Sequence, residues 1–157
     1  MPAGRLRQVS QKSRARDRAV GIMVRAIPVC LLSDPVSKVK SRLGGEDFDN
    51  IDCIVFVDEH GKYAGAADAR VVLAADGIQP AAEFMRKDWP SVPHDMSQEH
   101  AVQTAVAAGV SSLPVLSEDG KPLGCIPASN LLKVLGREHR EDVHRLVGML
   151  REREGAR

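Results

Sequence analysis

Apolar and polar positions along this chain form one pattern, written twice. Between Ser111 and Leu135 an apolar run, Leu113–Leu116, leads to the turn residues Glu118-Asp119-Gly120-Lys121. A second apolar run, Leu123–Ile126, follows, and then a stretch from Asn130 in which Leu131, Leu132 and Leu135 recur at helical spacing. Gly120 suits the turn because it takes a positive φ without steric cost. The prediction is strand, turn, strand, helix. The same order occurs roughly 60 residues earlier, as expected of an internal repeat. There the apolar run after Asp52 meets a turn at Asp58–Lys62, a strand ending near Gly65, and a helix through Val71, Val72 and Leu73.

Each copy also has a leading half. In the first, Ala19–Met23 reads as a short helical turn and Pro28–Leu32 as a strand. Ser33-Asp34-Pro35 then opens a helix, with Asp34 as its cap, Pro35 at its first position and Val36, Val39 and Leu43 on one face. Gly44-Gly45 ends it, and an acidic loop, Glu46–Asn50, leads to the hairpin. The second copy opens at Ile78. Pro80–Met85 matches the earlier turn, Met85 answers Met23, and Trp89–Val92 matches the earlier strand. Asp95-Met96-Ser97-Gln98 resembles a capping box with Asp95 in the cap position. The helix beyond it is expected to bury Ala101, Val102, Ala105 and Val106 and to close at Gly109. The copies differ mainly by a few extra residues in the first, at the acidic loop. After Gly136, Val143, Leu146, Val147 and Leu150 mark a further amphipathic helix from Arg137 to Leu150. The expected organisation is a basic arm over 1–18, one unit over 19–77, a second over 78–136, and a helix and tail over 137–157.

Composition narrows the function classes. Apolar residues make up 43% of the 157, enough for a core, and the net charge is +1, so nothing about the whole molecule favours nucleic acid. Aromatics are 3%, too few for a base-stacking platform. No apolar run approaches the roughly 20 residues of a membrane helix, and no apolar segment marks a secretory leader at the start. Cys30, Cys53 and Cys125 are odd in number, far apart and in apolar surroundings, which reads as buried free thiols in a reducing cytoplasm. The basic residues of the arm, Arg5, Arg7, Lys12, Arg14, Arg16 and Arg18, read either as a solvated extension or as a patch for an anionic partner. The motifs of serine hydrolases, phosphate-binding loops, dinucleotide folds and zinc proteases are absent, so no catalysis is expected.

The segments Val57-DEHGKYAG and Leu113-PVLSEDGKPLG, each followed by a helix, resemble a tandem pair of CBS domains over about residues 19 to 137. The resemblance implies an α/β fold: two β-α-β-β-α units about a pseudo-twofold axis, plus the C-terminal helix. It also implies a central cleft that often takes an adenine nucleotide (ATP, ADP or AMP), and a homodimer. A narrower resemblance, to the cytoplasmic CBS region of MgtE-type magnesium transporters, rests on the hairpin from Asn50 to Gly65, the Pro80-AAEFM junction and the tail Glu141–Leu146. It implies a regulatory sensor for Mg2+ and nucleotide, cytoplasmic, working on a transmembrane transporter domain. The alternative is a CBS pair with a degenerate cleft, serving as a scaffold for dimerisation.

For the cleft, the resemblance points to Trp89, Pro90, Val92, Ser112, Pro114, Cys125, Pro127 and Asn130. The family's ribose and phosphate positions follow the second hairpin strand as Gly-x-x-Thr/Ser-x-x-Asp. In the second unit Pro127 replaces the hydroxyl residue and Asn130 the carboxylate. Asparagine still accepts from one ribose hydroxyl, or it simply caps the last helix. In the first unit Val71 stands at the ribose position, and Asp68 at the phosphate side would repel a polyphosphate. For Mg2+, which needs only a few carboxylates and keeps its waters, the candidates are Asp47 and Asp49 in the acidic loop and Glu138 and Asp142 on the last helix, against solvated acidic turns as the plain reading. His60, His94, His100, His139 and His144 lack metal-ligand spacing and read as surface or capping residues.

Overall fold

The computed structural model describes residues 16–155. Two three-stranded sheets carry the architecture, with strand orders β1-β2-β3 and β4-β5-β6. The first unit runs through β1 (Val29–Leu31), α1 (Val36–Gly45), β2 (Cys53–Val57), β3 (Tyr63–Asp68) and α2 (Ala69–Ala74). The second runs through β4 (Val92–Pro93), α3 (Gln98–Ala108), β5 (Leu113–Leu116), β6 (Pro122–Ile126) and α4 (Ala128–Gly155). A short 3-10 turn precedes each, at Ala19–Gly21 and Ala81–Glu83. In both sheets the first strand pair is parallel and the second antiparallel, with a bulge at Phe56/Val57 in one and at Val115/Leu116 in the other.

Side-chain alternation explains how the sheets meet. Strand β2 is β-branched and aromatic, the composition a pleated buried surface favours, and all five of its residues are buried. Cys53, Val55 and Val57 face an interior shared with Leu113 and Val115 of β5. Ile54 and Phe56 face a second cluster with Val36, Val39 and Val72 of α1 and α2. One strand thus serves two cores through its period of two.

Each hairpin tip closes the same way. Gly61 and Gly120 both sit at φ +78, where a side chain would be strained. The Asp58 carboxylate accepts from the His60 and Lys62 N–H groups at 2.8 and 3.0 Å, which holds its pKa below the usual range. Ser117 does the corresponding work, accepting from Lys121 N–H at 3.2 Å.

The leading segments are traded between the units. Residues that precede β1 lie along the edge strand of the second sheet: Val24 and Cys125 exchange backbone bonds of 2.8 and 2.9 Å. Residues that precede β4 lie along the edge of the first: Ala66 and Arg86 exchange bonds of 3.2 and 2.7 Å. The 3-10 turns follow suit, with Ala19 N–H donating to Met96 and Ala81 N–H donating to Asp34. Gly124 and Gly65 make room. A Cβ on Gly124 would collide with the Val24 carbonyl, and one on Gly65 would lie 2.6 Å from the Arg86 carbonyl.

Several expectations change. Asp34 does not cap α1; its carboxylate accepts from Leu31 N–H at 3.1 Å and pairs with Lys38 at 3.3 Å, closing the turn from β1, while Pro35 occupies the cap. Ser97, not Asp95, caps α3, accepting from His100 N–H at 3.2 Å. Strand β3 continues to Asp68, whereas the strand expected at Trp89–Val92 is only Val92–Pro93. Val106 is 68% exposed and Leu132 65%, while Leu131 and Val134 turn inward. Helix α4 runs unbroken through Gly136, because an interior glycine weakens a helix by about 1 kcal/mol without stopping it. Cys30, Cys53 and Cys125 are free and buried, as expected.

Candidate functional site

A cavity of about 430 Å³ opens between the units. The β3–α2 junction contributes Asp68, Arg70 and Val71, the segment entering the second unit contributes Arg86 and Trp89, and the loop after α3 contributes Ser111. The junction is held by Asp68, which caps α2 by accepting from Arg70 N–H at 2.9 Å. The Arg70 guanidinium lies 3.8 Å from the same carboxylate.

The opposite wall is more rigid. The Trp89 indole N–H donates to the Ser112 carbonyl at 3.0 Å, and the Tyr63 hydroxyl donates to the Trp89 carbonyl at 2.7 Å. Burial raises the Tyr63 phenol well above its ordinary pKa, so it remains a donor. The Arg86 guanidinium sits over the indole, 5.6 Å from its centroid, a cation–π arrangement. It also pairs with Asp88 at 3.3 Å and lowers that carboxyl's pKa. Two guanidiniums, one carboxylate and a fixed aromatic wall thus surround the space. Such a set offers donors to an anion, an acceptor to hydroxyls and an apolar surface to a flat ring.

The residues expected to line the cleft do not share one surface. Trp89, 6% exposed, lines this cavity. Val92, Ser112, Pro114, Cys125 and Pro127 are buried, and Pro90 is half-buried. Asn130 lines a different cavity, of about 730 Å³, between the start of α4 and residues 16–22. Its amide donates to the Ile22 carbonyl at 2.8 Å, so it ties the leading segment to α4. Arg70, Arg86 and Ser111 escaped the sequence reading. The available signal was their position beside Val71, Trp89 and Ser112, once the two copies are aligned.

The acidic loop has a structural task. Asp49 accepts from Ala26 N–H at 3.1 Å through its carboxylate and returns its own N–H to the Ala26 carbonyl at 2.6 Å. Asp47 is exposed nearby. Glu138, His139 and Asp142 fall on α4, and their side chains are not among those described. Among the described residues no three His, Cys, Asp or Glu side chains gather as a metal ion would require. His60, His100 and His144 are exposed and His94 is half-buried.

Residues 81–137 match the CBS domain family. The magnesium transporter MgtE of Thermus thermophilus is 31% identical over 105 residues, 67% of this chain and 23% of the relative. The chain therefore spans about a quarter of that relative's length. Among solved structures, the cytosolic domain of the Mg2+ channel MgtE in complex with ATP superposes with a TM-score of 0.70 at 27% identity, covering 76% of this chain and 49% of that one. A CBS domain pair in complex with 5′-methylthioadenosine and S-adenosyl-L-methionine superposes at 0.64 and 17% identity, covering 77% of this chain and 97% of that one, and supports the fold alone.

Proposed function

We propose, from the premise that this chain is a tandem CBS pair similar to the cytosolic part of MgtE-type magnesium channels, that it is a regulatory module which senses an adenine nucleotide in the cavity between its units. The observation that carries this reading is the meeting of both units at one cavity, with Arg70 and Arg86 as two cations that outweigh the single carboxylate of Asp68, and Trp89 as fixed wall. A ligand there touches the β3–α2 junction of one unit and the loop after α3 of the other, so binding biases their relative placement. The ATP complex of the MgtE relative supports the ligand class. Mg2+ belongs to the reading as the ion that accompanies a nucleotide's phosphates, which this ion favours over all-protein cages. The partner would be a transmembrane transporter domain at the cytoplasmic face. Among the described residues no helix is long and apolar enough to cross a membrane.

Trp89 is the single tryptophan, so its emission reports the cavity. Titration with ATP, ADP or AMP, with and without Mg2+, should change that emission and raise the melting temperature as ligand rises. Arg70→Ser with Arg86→Ser should weaken binding by roughly tenfold or more, the loss expected of charge-assisted contacts. No response to any of the three nucleotides would turn the reading to a second one.

That second reading, a scaffold for dimerisation, is favoured by an apolar groove of about 260 Å³ between α3 and α4, where Val106, Leu132 and Leu135 stand exposed. A homodimer covering it is compatible with sensing. Sedimentation of the wild type against Val106→Glu with Leu132→Glu tests it, with the variant expected to be monomeric.

A further inference from the structure

The larger cavity, of about 730 Å³, shares no lining residue with the smaller one and has a different chemistry. Its floor is α4, where Ser129, Lys133, Arg137 and Arg140 recur at three- and four-residue intervals on one face. Its wall is the traded leading segment, which supplies Arg16. Like charges on successive turns repel one another, and here a further cation is brought against them from a distant part of the sequence. No described acidic side chain lines the space.

One wall is built rather than incidental. Gln98, only 1% exposed, donates through its amide to the carbonyls of Arg16 and Arg18 at 2.5 and 3.1 Å. Its amide oxygen accepts from Arg137 at 2.5 Å. A buried amide therefore fixes both the segment that carries Arg16 and the guanidinium of Arg137. One guanidinium held in place, that of Arg137, with the cations of Arg16, Lys133 and Arg140 and the Ser129 hydroxyl around it, suits the oxygens of phosphate.

We propose that this cavity binds a phosphate-bearing anion carrying several negative charges. The volume exceeds what a single inorganic phosphate fills, and the cations are spread over two turns of α4, so the shape fits linked phosphates or a phosphorylated headgroup better than one small ion. Because Arg16 belongs to the segment that completes the second sheet, the anion locks that segment against α4. This site is independent of the nucleotide cavity and stands or falls separately from it.

Sodium triphosphate is the soluble probe, and phosphatidylcholine vesicles containing phosphatidylglycerol are the membrane probe. Lys133→Ser with Arg140→Ser removes two exposed cations while leaving Arg137 and Gln98 joined. The melting temperature without ligand checks that the fold survives, and Arg140→Gln alone replaces the pair should it not. Wild-type protein is expected to bind triphosphate with a rising melting temperature that falls back with added salt. The double variant is expected to bind about tenfold or more weakly, whereas Arg70→Ser with Arg86→Ser keeps its triphosphate affinity. Vesicle binding that needs Lys133 and Arg140, without triphosphate binding, identifies a headgroup as the source. Absence of both, or binding indifferent to Lys133 and Arg140, overturns the proposal.

Discussion

Cys53 and Cys125 stand at the centre of the shared interior, each 0% exposed, and burial pushes both thiols up to about 12 from an ordinary 9.0. Below pH 9 both states keep their protons and the contribution is complete. Between pH 9 and about 12 the unfolded chain ionises and the native one does not, so stability falls as pH rises, by at most about 1.4 kcal/mol per pH unit for each thiol. Urea unfolding from pH 8 to 11 should show this fall, and Cys53→Ala with Cys125→Ala should flatten it; equal slopes would assign the loss to other groups. That these cysteines are buried and free was legible from their apolar neighbours. That Val106 and Leu132 are exposed was not. Helical spacing shows which residues share a face, but not how wide a face the neighbouring element covers, and among the described residues α3 and α4 bury Ala101, Val102, Ala105, Leu131 and Val134 in the shared core.

Among the elements, the two hairpins were the clearest in the sequence, because their turns need Gly61 and Gly120 at positive φ and their first strands, Cys53–Val57 and Leu113–Leu116, carry unbroken apolar runs. Gly65 and Gly124 carried no comparable signal. Each looks like an ordinary residue of a strand, and its need for a missing Cβ arises only from the backbone of the other unit. Gly124→Ala should therefore destabilise by about 1–3 kcal/mol through the collision with the Val24 carbonyl. Gly136→Ala, whose Cβ would meet nothing within 4 Å, should stabilise by roughly 0.4–1 kcal/mol. Chemical unfolding of the two variants beside the wild type separates them by sign. The opening caps went astray for a related reason. Asp34 and Asp95 are plausible caps by type, yet the N–H groups of Val36 and Gln98 donate to Gln79 and Asp17, so the first turn of each helix is set by a segment far away in sequence.

At the scale of the whole molecule, neither unit is complete alone. Residues 17–24 supply the edge of the second sheet, and residues 79–86 supply the edge of the first. A chain lacking residues 1–24 loses the Val24–Cys125 bonds, the buried Ala19 and the Asn130–Ile22 tie together. It should melt in a broader transition at lower temperature and bind a hydrophobic dye that the intact chain excludes, because an open strand edge and the shared interior become accessible. A sharp transition at the wild-type temperature would show that the traded segment contributes little. The same trade bears on the proposed sensing. Both cavities have one wall on a leading segment, Arg86 and Trp89 in one and Arg16 in the other, so a ligand in either bears on the joint between the units.

The amino-acid sequence by itself determined the two β-α-β-β-α units, their turns and their buried thiols. These follow from periodicity, glycine conformation and side-chain polarity, which act over a few neighbouring residues. Only the tertiary structure decided that each unit completes the other, that Asn130 ties down Ile22, and that Arg70, Arg86 and Trp89 meet at one cavity. Those outcomes depend on backbone hydrogen bonds between sheet edges. Such bonds are alike for almost every residue type and leave no pattern along the chain to read.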